Sequence, residues 1–113
     1  VKIIIPNYKL PSRNTLYSSN NWRVRKRVAD EVHQMISAYV PRKMITGLVD
    51  IEIIANYKHK RRRDSDNVES KLVIDSLKGK VIEDDDTRFV RNVTTRAIIG
   101  TEDKLIITIS KAD

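Results

Sequence analysis

The chain contains no cysteine, so a disulfide framework and a thiolate zinc site are both excluded. That composition suits a reducing compartment, and a cytoplasmic location is expected. Histidine is nearly as scarce: His33 and His59 are the two present, far apart in the chain, and zinc is not expected from them. Neither has a nucleophile beside it that would suggest triad catalysis. No apolar run approaches the roughly 18 residues of a membrane-spanning helix. The apolar stretch at residues 1–5 is too short for a signal peptide. No membrane association and no small-molecule cofactor are expected. Aromatic residues are few, namely Tyr8, Tyr17, Trp22, Tyr39, Tyr57 and Phe89, and they form no evident platform for stacking bases. Trp22 is expected in the core.

What remains is aliphatic and basic. Val and Ile dominate the 40% of hydrophobic residues, enough for one ordinary core in a chain of 113 residues. A single domain over residues 1–113 is expected, with dimerisation as an aid to so small a fold. Lys and Arg number 22 against 15 Asp and Glu, a net charge of +7. Such an excess favours a polyanionic partner, because each phosphate contact releases condensed counterions. Charge alone does not separate nucleic acid from an anionic membrane surface.

Hydrophobic periodicity divides the chain into elements. Residues 1–5 form a β-branched run closed by Pro6, which predicts a strand. Residues 7–21, with Pro11 and several Ser and Asn, read as loop. Val24, Val28, Val32, Met35, Ile36 and Tyr39 then recur at three- and four-residue spacing, predicting an amphipathic helix that ends before Pro41 with this stripe in the core. Its first turns carry Arg23, Arg25, Lys26 and Arg27, although cations at a helix N-terminus oppose the macrodipole. Phosphate contacts are the simplest use for them; a solvated face is the alternative.

Strict alternation over residues 49–57 predicts a half-buried strand, broken only at Ile54. The basic run Lys58-His59-Lys60-Arg61-Arg62-Arg63 follows, then Asp64-Ser65-Asp66-Asn67, a cluster suited to opening a helix that runs to about Lys78 with Gly79 as its C-cap. Val68, Leu72 and Leu77 would face inward, with Val73 or Ile74 beside them. Residues 89–99 and 105–109 read as two strands joined in a hairpin by the turn at residues 100–104. The expected fold is α+β, a mixed sheet with two main helices in the order β-α-β-α-β-β.

Two acidic clusters bracket the second helix. Asp64 and Asp66 stand one residue apart at a strand-to-helix junction and can aim at one point. Glu83-Asp84-Asp85-Asp86 forms the other cluster. Hard carboxylate oxygens suit Mg²⁺, which keeps several waters for a substrate phosphate. A helix of about 12 residues spans roughly 18 Å, and the seven extended residues 79–85 cover about 20 Å in return. Asp84, Asp85 or Asp86 can therefore come back to the first pair. Cations beside such a site would hold a nucleic-acid strand and offset charge in a phosphodiester transition state. An EF-hand does not fit, since Val68 offers no ligand, Glu69 replaces the glycine and Asp75 the bidentate Glu. His33 reads as a surface or core-edge residue and His59 as a phosphate contact.

These segments resemble the RusA family of Holliday-junction resolvases, common on phages and prophages. The resemblance rests on Arg61-Arg62-Arg63-Asp64-Ser65-Asp66-Asn67, Lys71, Asp75-Ser76-Leu77-Lys78-Gly79, Val81-Ile82-Glu83-Asp84-Asp85 and the earlier Pro11-Ser12-Arg13-Asn14. It implies a magnesium-dependent endodeoxyribonuclease that acts as a homodimer on branched DNA. Paired symmetric nicks leave 5′-phosphate and 3′-hydroxyl ends. By the same resemblance Asp64, Asp66 and Asp85 are the metal ligands, and Lys71 is the lysine that offsets charge on the scissile phosphate. Arg61, Arg62 and Arg63 grip the backbone, aided by Lys58 and Lys60. Lys71 stands one residue farther from Asp66 than in the family pattern, which turns a helical side chain by about 100°. Two rival readings stay open: a nuclease of the same fold acting on flaps, forks or duplex, and a non-catalytic nucleic-acid-binding module whose acidic clusters are helix caps and whose Lys71 pairs with Asp75.

Overall fold

The computed structural model describes residues 1–17, 20–58 and 68–112. Its elements are β1 (Lys2–Pro6), α1 (Arg13–Tyr17), α2 (Trp22–Ser37), β2 (Val49–Tyr57), α3 (Lys71–Asp75), β3 (Val90–Ile99) and β4 (Lys104–Lys111). The architecture is the expected α+β mixed sheet, with one added helix. Residues 13–17, read as loop, form α1.

Alternation makes the sheet. On β2 the residues Val49, Ile51, Ile53, Ala55 and Tyr57 are buried, while Asp50, Glu52, Ile54 and Asn56 point to the other face. β4 repeats this with Leu105, Ile107 and Ile109, and β1 with Ile3 and Ile5. One face therefore carries the core and the helices, and the other is polar and helix-free, as in half-solvated sheets generally. Fully burying a large aliphatic side chain is worth about 1.5–3 kcal/mol, so these eight positions on three strands fix the register.

The strand order is β1-β4-β2-β3. β2 pairs antiparallel with β4 and parallel with β3. The expected β3–β4 hairpin is not formed. Residues 100–103 instead cross the end of β2, where Gly100 N–H donates to the Tyr57 carbonyl at 2.8 Å and Lys58 N–H to Asp103 Oδ1 at 2.9 Å. The reason is burial. β4 presents Leu105, Ile107 and Ile109 to the core, whereas β3 presents Val93, Thr95, Ala97 and Ile99, none of them fully buried. Seating β4 between β1 and β2 covers the more apolar strand on both sides.

A parallel β2–β3 pair needs a long crossover, and residues 58–89 supply it with α3 inside. α3 is much shorter than expected, because Val68 bridges to Ser12 as extended backbone and the helix starts only at Lys71. Its N-cap, Ser70, makes no side-chain cap; buried Glu69 does so instead, Oε1 accepting from Leu72 N–H at 3.2 Å. The other carboxylate oxygen of Glu69, Oε2, is buried with no hydrogen-bond partner. After α3 the chain turns tightly through residues 76–82, with Gly79 at φ +72° and its N–H donating to the Ile82 carbonyl at 2.8 Å.

α2 packs on the core mainly through Val32 and Ile36. Its expected stripe is only partly inward: Met35 and Tyr39 are exposed, Tyr39 beyond the helix end. Trp22, expected in the core, is 62% exposed, and the Arg23 guanidinium lies 5.6 Å from its ring centroid. Between α2 and α3, Ser76 Oγ lies 2.8 Å from the Leu72 carbonyl oxygen and 2.7 Å from His33 Nδ1. Tyr8 lies half-buried near α2. Burial, then the charges of Glu31 and Tyr57, push its phenol up to about 12.

Two outcomes follow. Ile53→Ala, at a fully buried central position, should cost about 2–5 kcal/mol in urea denaturation. The folded state favours the neutral Tyr8 phenol. Its contribution to stability is therefore present below the ordinary tyrosine pKa of about 10 and lost as pH rises to about 12. Tyr8→Phe should flatten that loss in denaturation curves recorded across the interval.

Candidate functional site

Of the residues singled out in the sequence, His59, Lys60, Arg61, Arg62, Arg63, Asp64 and Asp66 lie outside the described residues. The others can be placed. Arg23, Arg25, Lys26 and Arg27 occupy the first two turns of α2, with Lys26 tied to Asp30 at 2.8 Å. Lys58 follows the last residue of β2. Lys71 is the first residue of α3 and is exposed.

α2 packs against α3. His33 meets Ser76, and Ser37 Oγ accepts from Lys80 Nζ at 2.8 Å. Because α3 has five residues, it is only about 7 Å long.

The three consecutive aspartates have separate surroundings. Asp84 Oδ1 accepts from the Asp85 N–H at 2.8 Å, closing a local turn. Asp86 is committed to Arg88, whose Nη2 and Nε donate to it at 2.8 and 3.1 Å and whose backbone N–H adds a third bond. The Arg88 hydrogen bonds hold the Asp86 carboxyl below the usual carboxylate range. Asp85 alone of the three faces the end of α3: its Oδ2 lies 3.5 Å from Lys78 Nζ, and Asp75 Oδ1 lies 3.8 Å from the same nitrogen. The Asp85 charge, with smaller contributions from Asp75 and Asp84, raises the Lys78 pKa. Glu83 turns away, its Oε2 accepting from the Gly47 N–H at 2.9 Å.

Lys78 is thus the residue that sequence reasoning passed over. The rival reading paired its Asp75 neighbour with Lys71 four residues back; the pairing runs three residues forward instead. A lysine three residues after an aspartate on a helical stretch was the available signal. A second ion pair, Arg91 with Asp50 at 2.6 and 3.1 Å, lies at the start of β2 and lowers the Asp50 pKa chiefly through those hydrogen bonds.

Among the described residues, no three His, Asp or Glu side chains converge on one point. Asp75 and Asp85 nonetheless share a single positive charge between hard oxygen donors, the donor chemistry magnesium takes. No helix among the described residues is long and apolar enough to cross a membrane. Removing the Asp85 charge by Asp85→Asn should lower the Lys78 pKa, because that charge is the largest cause of its rise; an NMR titration of the Lys78 side chain would read the shift.

Residues 7–110 match the family model described as Endodeoxyribonuclease RusA, a span that takes in both aspartate clusters and the basic run. No curated protein matches the chain.

Proposed function

The chain belongs to the endodeoxyribonuclease RusA family, and from that premise we propose that it resolves four-way DNA junctions by paired symmetric nicks, as a magnesium-dependent homodimer in recombination and repair. The observation that carries this reading is the extent of the family match, which covers every segment given a chemical role. Under the same reading the protein works in the cytoplasm, beside its DNA.

Asp64, Asp66 and Asp85 would hold the ion, and the surroundings of the second cluster support Asp85 over its neighbours, since Asp86 is bonded to Arg88 and Asp84 to its own turn. The metal, when bound, supplies Lewis-acid charge for attack of water on phosphorus. In that hydrolysis a P–O bond to the 3′ oxygen breaks, leaving the 5′-phosphate and a protonated 3′-hydroxyl. The protein's part is to bind and orient. Arg61, Arg62, Arg63, Lys58 and Lys60 with the first turns of α2 would grip the backbone. Lys71, exposed at the start of α3, would offset charge on the scissile phosphate. Lys78 would hold the Asp85 carboxylate in position through its 3.5 Å contact.

A panel of four-way junctions, flaps, forks and duplex, incubated with Mg²⁺ and the purified protein, tests the proposal. Junctions should be cut at symmetric positions in preference to the rest. Asp66→Asn and Asp85→Asn should abolish cutting yet retain junction binding. Undiminished cutting by either variant would remove that residue from the site, and tight binding without any product would favour a non-catalytic module.

A further inference from the structure

The sequence places its DNA contacts before and at the start of α3. The structure shows a second basic feature at the opposite end. A cleft of about 500 Å³ opens between the end of α2 and the turn after α3, lined by Ser37, Val40, Arg42, Met44, Gly79 and Lys80. Among the described residues, its charged lining side chains are both cations. Lys80 Nζ donates to Ser37 Oγ at 2.8 Å, which holds the ammonium at the cleft wall without neutralising it. Among the described residues neither Arg42 nor Lys80 makes an ion pair, so both charges are open to an anionic ligand.

The walls are fixed by backbone bonds. Ile45 N–H donates to the Val81 carbonyl at 2.7 Å, clamping the Arg42–Met44 segment to the turn that carries Lys80. Lys80 N–H donates to the Leu77 carbonyl at 3.1 Å in the same turn, directly after Lys78, the partner of Asp85. The cleft wall and Lys78, which contacts Asp85, therefore belong to the same turn.

We propose that this cleft is a DNA-backbone subsite in which Arg42, Lys80 and the Ser37 hydroxyl hold a phosphodiester away from the scissile one. The inference rests on the nuclease reading and extends it. α2 has 16 residues, so it spans about 24 Å. At about 3.4 Å per phosphate along one strand, cations at its two ends would grip points several nucleotides apart. Arg42 and Lys80 bind the strand and orient it; they take no part in the bond-breaking step.

The test is binding of a labelled four-way junction by full-length protein in EDTA, by fluorescence anisotropy across a salt series. Arg42→Ala with Lys80→Ala should weaken binding roughly tenfold and lower the slope of log affinity against log salt by about 1–2, the mark of one or two lost phosphate contacts. Arg42→Lys with Lys80→Arg should restore most of it. Lys2→Ala with Lys104→Ala, the same loss of formal charge on the helix-free sheet face, should leave the slope within error of the parent. Equal effects from both alanine pairs would overturn the subsite, as would an unchanged slope in the first pair with a parental thermal melt. A parent protein that binds no branched DNA would instead remove the nuclease reading on which the cleft's ligand depends.

Discussion

The central position of β2 governs the rest of the molecule. Its inward residues are essentially excluded from water, so hydrogen-bonding partners must cover both of its edges. β4 takes one edge antiparallel and β3 the other parallel. A parallel neighbour cannot be reached by a tight turn, and the chain between β2 and β3 must therefore leave the sheet and come back. That excursion contains α3, both acidic clusters and the basic run. The same holds for β1 and β2, both antiparallel to β4 and hence parallel to each other, with α2 in the crossover. Two crossovers bring α2 and α3 together.

The pattern of β2 was legible because alternation of apolar and polar residues is a local signal and nothing overrides it. The same was true of α2 as an element, and of Val68, Val73 and Leu77 as inward residues. Pairing was not legible. A four-residue connection rich in turn formers between two strands looks like a hairpin, and the distinction lies in how deeply each strand's inward side chains are buried. That depends on which helices cover them, a property of the whole fold. The length of α3 was misread for a related reason: the aspartate cluster supplies good capping chemistry, yet Val68 is drawn into an extended bridge with Ser12 and buried Glu69 caps the helix several residues later. Trp22 was assigned inward from its size, although it sits at the first residue of α2, where Arg23 can cover its ring.

For the site, the sequence supplied residue types but not their distribution among partners. Three adjacent aspartates look equivalent on paper. In the fold one is spent on a turn, one on Arg88, and one faces α3, and these differences come from the tight turns of residues 76–90. The Arg42–Lys80 cleft was invisible for a related reason: it depends on contacts between segments separated by some forty residues, and it carries no motif.

The character of the Lys78 contact has its own consequence for a site of this kind. Exposed ion pairs contribute little net stability, because water screens the attraction and two long side chains lose freedom to make it. Lys78 and Asp85 are both about 40% exposed, and their closest approach is 3.5 Å, longer than a hydrogen-bonded pair. A contact of that strength keeps the carboxylate oriented and limits its repulsion from Asp75 and Asp84, but it does not lock it. A short, buried pair at the same place would hold the aspartate more firmly and compete with the ion it is proposed to bind. The weakness of the Lys78 contact leaves Asp85 open to the metal-ligand role proposed for it, in which a divalent cation would supply the charge that Lys78 supplies here.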